Sequence, residues 1–134
     1  MNYLDLLERM TEGSAGYDIT APDTYELLPG MWTTIDTGIT FDDTVKTSFE
    51  RWCFLIFPRS GLSTEYRMRI VNTVPVIDQD YRGSIKLMVS TDYQYTLKKG
   101  ERFAQGIIIP YGIFEGEHPP MRKRNGGFGS TGRV

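Results

Sequence analysis

Residues 53–58 read Cys-Phe-Leu-Ile-Phe-Pro, an apolar run that stops at a proline. Isoleucine and phenylalanine pack well on a pleated, half-buried surface, so this run predicts a buried β-strand. Similar short runs recur between turn residues, while long stretches with a 3.6-residue apolar period are absent. The other runs occupy Met31–Phe41, Met68–Ile77, Ser84–Ser90 and Phe103–Ile109. The pattern predicts an all-β protein, either a sandwich or a barrel.

Length and composition indicate one domain. The chain has 134 residues, 40% of them hydrophobic and 24% charged, and a domain typically has roughly 100–200 residues. Asn2–Met10 is the one segment whose spacing favours a helix, although a strand fits almost as well. The net charge of −2 and the pI of about 5.4 argue against a broad electrostatic contact with DNA or RNA, because domains that bind nucleic acids are usually basic.

The counts of cysteine and histidine exclude two further classes. Cys53 is the only cysteine, so no disulfide forms within the chain, and we expect a buried core thiol. One cysteine and one histidine, His118, cannot build a zinc site of the common Cys/His kind. No apolar run is long enough for a transmembrane helix, and the N-terminus lacks the order of a secretory signal. We therefore expect a soluble, cytoplasmic protein.

The C-terminal segment differs in composition from the rest of the chain. Residues 121–134 read MRKRNGGFGSTGRV, a basic cluster followed by four glycines, with Phe128 as the large apolar side chain. This composition predicts a β domain over residues 1–120 and a flexible glycine-rich arm over residues 121–134. The arm is either a frayed terminus or a mobile segment that closes over a ligand, with backbone N–H groups that hold phosphate and Phe128 stacked on a ring.

Four internal segments carry polar groups suited to phosphate or proton chemistry. Ala15–Asp18 is a turn with an acid, and Pro58–Ser63 contains an arginine whose forked donors match a phosphate group. Val76–Gly83 places two carboxylates beside a tyrosine and an arginine, which indicates a proton acceptor or a metal site. Gly100–Gln105 leads into an apolar run. Each segment alone fits an ordinary surface turn equally well.

Taken in order, these segments resemble the five motifs of the trimeric deoxyuridine triphosphate nucleotidohydrolases (dUTPases). The motifs are AGYD at Ala15–Asp18, PRSGLS at Pro58–Ser63, the stretch Asn72–Ile85 around VIDQDYRGSI, GERFAQ at Gly100–Gln105, and GGFGSTG at Gly126–Gly132. The resemblance implies a jelly-roll-like (β-clip) fold and a homotrimer. Each site would draw its third motif from one chain, its first, second and fourth motifs from a second chain, and the arm from the third.

The resemblance also implies an activity. The family hydrolyses dUTP to dUMP and pyrophosphate through attack of water on the α-phosphorus, with Mg²⁺ bound to the triphosphate; the reaction limits uracil incorporation into DNA and supplies dUMP. Asp78 takes the position of the general base, and an aspartate is ionised at neutral pH and can accept a proton. Asp18 is expected to hold the metal through water rather than as a direct ligand, and Asp80 to be structural. The implied partners are dUTP and two further copies of the chain, with no nucleic-acid polymer and no membrane.

Substrate contacts are likewise implied by the resemblance. Tyr81 would pack against the deoxyribose and leave no room for a 2′-hydroxyl, while Asn72 would lie close to a uracil that is read by the backbone of a hairpin. Phe128 would stack on the uracil, and Lys123 or Arg124 would meet the γ-phosphate. The implied substrate-binding residues are Arg59, Ser60, Gly61, Asn72, Tyr81, Ile85, Lys86, Gln105, Lys123, Arg124, Phe128, Gly129, Ser130 and Thr131.

Two features depart from the family pattern, and two other functions stay open. Pro75 stands where the family often has glycine, which removes an N–H from the uracil hairpin. Asp42–Trp52 is longer than the usual connection and fits a surface excursion. A dCTP deaminase shares the fold and the phosphate motifs, and a nucleotide-binding regulatory protein would keep them without turnover. The Asp-x-Asp-Tyr order and the sequence GGFGSTG favour a dUTPase.

Overall fold

The computed structural model describes residues 2–120, and most of their regular structure is β-strand. A 3₁₀ helix at Tyr3–Asp5 precedes the strands, and one short α-helix, α1, spans Ser60–Tyr66. The strands are β1 Tyr17–Thr20, β2 Tyr25–Leu27, β3 Thr33–Asp36, β4 Trp52–Pro58, β5 Arg69–Ile70, β6 Val76–Asp78, β7 Lys86–Ser90, β8 Tyr95–Leu97 and β9 Arg102–Pro110.

The apolar run at residues 53–58 lies in the middle of the largest sheet. This sheet has four antiparallel strands in the order β1-β9-β4-β6. Strands β4 and β9 pair over their whole common length, from Trp52 opposite Pro110 to Pro58 opposite Ala104. Gly106 lies under the ring of Phe54, because a Cβ atom at this position would come within 1.9 Å of Phe54 Cζ. The absence of a side chain at Gly106 on β9 therefore leaves room for the Phe54 ring of β4 in the core.

A three-stranded sheet of order β3-β7-β5 and a two-stranded pair β2-β8 complete the fold. All three sheets contribute side chains to one core. Phe54 and Phe103 from the large sheet, Ile35 and Val89 from the three-stranded sheet, and Leu97 from the pair are each 0% exposed. Burial of such a side chain contributes roughly 1.5–3 kcal/mol. An isolated two-stranded pair is marginal in water, so β2 and β8 depend on this shared core.

The two edges of the large sheet are formed by β1 and β6. Edge strand β1 is covered in part by the N-terminal segment, because the Asp18 N–H donates to the Glu8 carbonyl at 2.7 Å. Edge strand β6 follows Pro75, a buried residue whose carbonyl accepts the Ile56 N–H at 3.1 Å. Pro75 thus keeps one backbone hydrogen bond with β4 even though it lacks an N–H of its own.

The all-β prediction is confirmed, and every apolar run named above contains at least one strand. The prediction of a helix over Asn2–Met10 is wrong apart from the single 3₁₀ turn, which begins where the Asn2 side chain accepts the Leu4 N–H at 2.9 Å. Helix α1 lies where the sequence predicts only a turn, since its serine, glycine and threonine residues are weak helix formers. The burial of Leu62 stabilises it instead, together with the hydrogen bond from the N–H of the C-cap residue Arg67 to the Leu62 carbonyl.

Two further expectations concern the segment before β4. Cys53 is 7% exposed, as expected for a core thiol. The excursion Asp42–Trp52 is irregular until Trp52 begins β4, and most of its residues are exposed. Asp43 forms an ion pair with Arg82, and the Trp52 N–H donates to Gln79 Oε1 at 2.9 Å. Among residues 2–120, no helix is long and apolar enough to cross a membrane.

Candidate active site

A buried carboxylate lies at one end of the large sheet. Asp18 sits on β1 with its side chain 11% exposed, and two arginines approach it from different elements. Arg59 Nε lies 3.6 Å from Asp18 Oδ1, and Arg102 Nη1 lies 3.6 Å from Asp18 Oδ2. One carboxylate therefore holds together the ends of β1, β4 and β9, which carry the first, second and fourth predicted motifs. The group of Asp18, Arg59 and Arg102, the cationic corner, carries two positive charges and one negative charge, and this local excess of positive charge suits a polyanionic ligand.

The second predicted motif continues from Arg59 into α1. Arg59 is the N-cap residue of the helix, its carbonyl accepts the Ser63 N–H at 3.0 Å, and its side chain makes no capping bond. The guanidinium is thus directed to Asp18 rather than to its own helix. Ser60 and Gly61 follow and are exposed. An open cleft of about 650 Å³ lies between this helix and the turn before β9, and Arg59, Gly61 and Arg102 line it.

Gln105 joins the same corner through sheet register. It pairs with Asp18 on β1 and with Phe57 on β4, so it lies between the first and second motifs. A Cβ atom on Gly16 would come within 2.5 Å of Gln105 Oε1. The φ angle of Gly16 is not in the left-handed region, so the backbone itself would accept another residue there. The glycine of AGYD leaves room for the Gln105 side chain in its present position, and any larger residue would displace the Gln105 amide.

The opposite wall of the cleft is acidic and aromatic. The Tyr95 hydroxyl donates to Glu101 Oε2, and the Tyr95 and Tyr66 rings lie with centroids 4.4 Å apart. Glu101 also accepts the Lys98 N–H at 3.0 Å. Burial, followed by the hydrogen bond to Glu101, raises the pKa of Tyr95 to about 12. Tyr95 therefore stays neutral over the physiological pH range and serves as a fixed donor in this wall.

Asp78 lies away from this cleft, at the end of edge strand β6. It is exposed and pairs with Cys53 on β4. Burial, and after it the negative charge of Asp78, raises the pKa of the Cys53 thiol. The carbonyl of Asp78 accepts the Tyr81 N–H at 3.0 Å, which closes the Asp78 turn, residues 78–81, at the end of β6. This turn brings Asp78 and Tyr81 to the same end of the strand, while the Asp78 side chain reaches solvent.

Asn72 lies in the loop between β5 and β6. The Val74 N–H donates to the Asn72 carbonyl at 2.7 Å, and the Thr73 N–H donates to the Ile70 carbonyl at 2.9 Å. Thr73 adopts a φ of 68°, an unusual conformation for a β-branched residue. Asn72 itself is exposed, so the loop presents its side chain outward.

Tyr81 is half-buried and is held at its hydroxyl. The hydroxyl donates to the Ser84 carbonyl at 3.0 Å, and the ring packs against the core. The Ser84 hydroxyl donates in turn to Asp36 Oδ1, which also accepts the Gly38 N–H at 3.1 Å. The hydrogen bond from Ser84, followed by that from Gly38, lowers the pKa of Asp36. Asp36 is therefore ionised and ties the strand β3 to the loop that supports Tyr81.

Ile85 and Lys86 differ in what they offer a ligand. Ile85 is 1% exposed, its N–H donates to the Ile39 carbonyl, and its carbonyl accepts both the N–H and the hydroxyl of Thr37. Its side chain belongs to the core. Lys86 is exposed and pairs with Asp36 across β3 and β7. Substrate contact by either residue stays a prediction.

The two groups of candidate residues are far apart within one chain. Asp78 pairs with Cys53, whereas Gln105 pairs with Phe57, farther along β4 and one strand beyond it. At roughly 3.3 Å per residue and about 4.8 Å between strands, the backbones of Asp78 and Gln105 lie on the order of 15 Å apart. Asp18, one strand farther, lies on the order of 20 Å from Asp78. One chain therefore brings Asp18, Arg59 and Gln105 together but leaves Asp78 and Tyr81 in a separate group.

The carboxylates of the candidate site, taken over residues 2–120, do not form a metal cage of their own. Within the described part of the chain, no group of three or more His, Cys, Asp or Glu side chains is arranged to hold one. Mg²⁺ does not need such a cage, because it keeps several waters and is commonly held by one or two carboxylates together with substrate phosphates. Asp18 supplies a carboxylate beside Arg59, at the cationic corner. The residues therefore fit a Mg²⁺–triphosphate held through water.

Sequence reasoning missed some residues, and others lie outside the described range. Arg102 was not among the predicted ligands, although it stands in GERFAQ; its ion pair with the buried Asp18 brings it into the candidate site. Asp36 gave no sequence signal, because its partner Ser84 comes from another segment. Gly83 stands in the third motif, but nothing local indicates that its missing side chain leaves room for Tyr81. The predicted arm residues Lys123, Arg124, Phe128, Gly129, Ser130 and Thr131 lie outside residues 2–120.

Comparison with known proteins supports one family throughout. A family model described as dUTPase matches residues 2–132. The deoxyuridine 5'-triphosphate nucleotidohydrolase of Lactococcus lactis subsp. lactis (strain IL1403) is 33% identical over 139 residues, which covers 96% of this chain and 89% of the relative. The enzyme of the same name from Thermoanaerobacter sp. (strain X514) is 39% identical over 137 residues, with the coverage again 96% and 89%.

Solved structures agree with the sequence relatives. The dUTPase from Streptococcus mutans superimposes with a TM-score of 0.68 at 28% identity and covers 82% of this chain and 88% of its own. The Staphylococcus bacteriophage 80alpha dUTPase with dUPNHPP gives a TM-score of 0.67 at 25% identity, with coverage of 94% and 90%. The fold and the relatives together define an all-β enzyme that hydrolyses a nucleoside triphosphate. Within that class, the chain belongs to the dUTPase family.

Proposed function

We propose that this enzyme converts dUTP to dUMP and pyrophosphate at sites shared between the chains of a homotrimer, with Asp78 as the general base. The observation that carries the proposal is the separation of the two residue groups within one chain. A dUTP molecule needs phosphate ligands and a base next to the same phosphorus atom, and a gap on the order of 15 Å exceeds hydrogen-bond reach. A neighbouring copy that brings its own Asp78 turn to the cationic corner closes this gap.

Asp78 suits proton abstraction by position. Its side chain is exposed at the end of β6, whereas the Asp18 carboxylate is enclosed by two arginines. An aspartate takes a proton from water most readily when the water lies within hydrogen-bond distance and the carboxylate is ionised. Asp78 would accept the proton from the attacking water as the water oxygen bonds to the α-phosphorus and the pyrophosphate oxygen departs. No covalent bond to the enzyme forms.

The cationic corner suits the triphosphate. Arg59 and Arg102 share one carboxylate between them, so a substrate phosphate can take the Arg59 guanidinium while Asp18 keeps Arg102. Ser60, Gly61 and Gln105 add a hydroxyl, a backbone N–H and an amide at the same end of the sheet. Asp18 would hold Mg²⁺ through water, and the ion, when bound, neutralises charge that develops on the phosphate oxygens.

The Asp78 turn suits the nucleoside. Tyr81, held by its hydroxyl against the Ser84 carbonyl, would pack on the deoxyribose and exclude a 2′-hydroxyl. The loop around Asn72, with the tight turn at Thr73, would read the uracil edge through backbone groups and reject cytosine, whose donors and acceptors are reversed. The bacteriophage 80alpha enzyme, solved with dUPNHPP, supports a uracil-containing triphosphate as the ligand of this fold.

The C-terminal segment completes the proposal. Residues 121–134 would form an arm that closes over the nucleotide of a neighbouring site, with Phe128 on the uracil and Ser130 and Thr131 on the γ-phosphate, and would exclude bulk water. The product dUMP would supply the pool of deoxyuridylate, and removal of dUTP would limit uracil incorporation into DNA.

The test is pyrophosphate release from dUTP, dCTP, dTTP and UTP, measured side by side with Mg²⁺ and with a chelator. We expect fast release from dUTP alone, and a marked loss with chelator. Ammonia release from dCTP would instead indicate a deaminase. Binding of dUTP without any pyrophosphate release would indicate a regulatory nucleotide-binding protein and would contradict the proposal.

A further inference from the structure

The Tyr81 ring packs against Gly83. The backbone conformation at Gly83 does not itself require a glycine. A Cβ atom on Gly83 would come within 2.7 Å of the Tyr81 hydroxyl oxygen and 2.9 Å of Tyr81 Cζ. The φ angle of Gly83 lies outside the left-handed region, so another residue could adopt the same backbone. What the glycine provides is room for the outer end of the tyrosine ring, two residues back in the chain.

A hydrogen bond fixes the position of the outer end of the same ring. The Tyr81 hydroxyl donates to the Ser84 carbonyl at 3.0 Å, which joins the ring to the residue after the glycine. The Tyr81 ring therefore packs against Gly83, and its hydroxyl is held by the Ser84 carbonyl.

The Ser84 carbonyl is itself fixed by a neighbouring strand. The Ser84 hydroxyl donates to Asp36 Oδ1 on β3, and the same oxygen accepts the Gly38 N–H at 3.1 Å. Ile85, the next residue, donates its N–H to the Ile39 carbonyl at 2.9 Å. The loop under Tyr81 is thus attached to the β3 side of the fold at two successive residues, once through a side chain and once through the backbone.

We propose that Gly83, Ser84 and Asp36 are positioning residues that fix the Tyr81 ring and thereby set the preference for deoxyribose over ribose. The inference rests on the proposed function, in which Tyr81 contacts the sugar. Exclusion of the ribose 2′-hydroxyl requires a Tyr81 ring that stays in place, because a ring that moves by about 1 Å leaves room for this hydroxyl. Gly83 and Ser84 supply that rigidity, and Asp36 holds the loop that carries them.

The main test is Gly83→Ala, read as the ratio of kcat/KM for dUTP to kcat/KM for UTP. We expect this ratio to fall by about tenfold or more, since an ill-placed group can cost up to a hundredfold. Gly112→Ala is the matched control, because a Cβ there meets no atom within 4 Å and the φ angle is likewise outside the left-handed region. Its ratio should equal that of the wild type. An unchanged ratio in a folded Gly83→Ala enzyme would overturn the inference.

Two further variants keep the inference testable if Gly83→Ala does not fold. Asp36→Ala removes the tie to Ser84 at an exposed residue and should lower the ratio by about threefold, less than the direct steric change. In enzymes that also carry Tyr81→Ala, neither Gly83→Ala nor Asp36→Ala should change the ratio of kcat/KM for dUTP to kcat/KM for UTP, because the ring through which they act is absent. An effect of equal size in that background would show a general loosening of the loop and would contradict the positioning role.

The outcome is separable from that of the proposed function. Absence of pyrophosphate release from dUTP by the wild-type enzyme would overturn the proposed function itself. A wild-type enzyme that hydrolyses dUTP and UTP equally well would overturn the role of Tyr81 and the inference with it. A selective wild-type enzyme whose selectivity survives both Gly83→Ala and Asp36→Ala would overturn the inference alone.

Discussion

The cationic corner and the Asp78 turn hold their functional groups by different means. At the corner, Asp18 is buried and fixed by charge, with two arginines at 3.6 Å that come from separate elements. At the turn, Asp78 is exposed, and Tyr81 is fixed by a backbone carbonyl and by the space over a glycine. In the proposed function the corner binds the triphosphate, and its arginines can exchange Asp18 for a phosphate oxygen. The Asp78 turn contacts the deoxyribose, and exclusion of a 2′-hydroxyl requires a Tyr81 ring in a fixed position.

The largest effect is expected in a test of whether one site combines the cationic corner of one chain with the Asp78 turn of another. Asp78→Asn should lower kcat for dUTP by two or more orders of magnitude through loss of the base, with binding largely kept. Arg59→Gln should abolish useful turnover through loss of phosphate binding. If each site takes its two halves from different chains, trimers reassembled from equal amounts of both variants should regain about a quarter of wild-type activity by random mixing.

The controls for this experiment are built into it. Each variant alone, taken through the same unfolding and reassembly, should remain inactive, and Asp80→Asn should keep most of its turnover. Mixed trimers that stay as inactive as the parent variants would contradict a site shared between chains.

The next test concerns the corner alone. Gly16→Ala should displace Gln105, because its Cβ would come within 2.5 Å of the amide oxygen, and we expect kcat/KM for dUTP to fall by about tenfold. The control is Gly13→Ala, three residues earlier, where a Cβ meets no atom within 4 Å. Steady-state kinetics of both variants decide the point. Equal activity in the two would remove Gln105 from the phosphate site.

A smaller effect is expected from substitution of Arg102, the arginine that stays paired with Asp18 in the proposed substrate complex. In Arg102→Gln, Asp18 retains Arg59 as its remaining arginine partner, so Arg59 becomes less available to phosphate and KM for dUTP should rise by about threefold to tenfold. Arg69→Gln is the matched control, since Arg69 pairs with Asp92 at 2.9 Å in a half-exposed ion pair outside the cleft. Exposed pairs of that kind contribute little. A KM that rises equally in both variants would argue against a special role for Arg102.

The smallest effect concerns stability at high pH. The pKa of Tyr95 is raised to about 12 in the fold, above an ordinary tyrosine at about 10. As pH rises through this interval, the unfolded chain loses its tyrosine proton while the folded chain keeps it, so stability falls. Thermal unfolding should therefore show a steeper loss between about pH 10 and pH 12 in the wild type than in Tyr95→Phe. Parallel curves would exclude Tyr95 as the cause.

The sequence predicted the strands better than the helix because of what stabilises each. Apolar runs such as residues 53–58 are buried or half-buried at every position, and that burial is visible in composition. Helix α1 has no comparable signal, since it depends on one buried leucine and on the Met68 N–H that donates to the Leu62 carbonyl at 3.2 Å. Three-residue strands such as β2 and β8 are too short to show a period.

The candidate residues were named from the sequence, and the resemblance also implied that the first, second and fourth motifs group apart from the third, but the strand register behind this grouping could not be predicted. Motif order named Asp18, Arg59, Gln105, Asp78 and Tyr81, yet the grouping follows from the strand order β1-β9-β4-β6 and its register. Pairings between residues so distant in sequence leave no trace in local composition. The tie between Asp36 and Ser84, 48 residues apart, is of the same kind.

The edge position of β6 has a consequence for solubility. An edge strand offers unpaired backbone groups to any strand that comes alongside, and Val76 of β6 is 59% exposed. The carboxylates of Asp78 and Asp80 place negative charge beside this edge, which disfavours such pairing. At the opposite edge, the pairing of Glu8 with Asp18 occupies backbone groups of β1. Both edges of the large sheet therefore carry features that discourage its growth into fibrous aggregates.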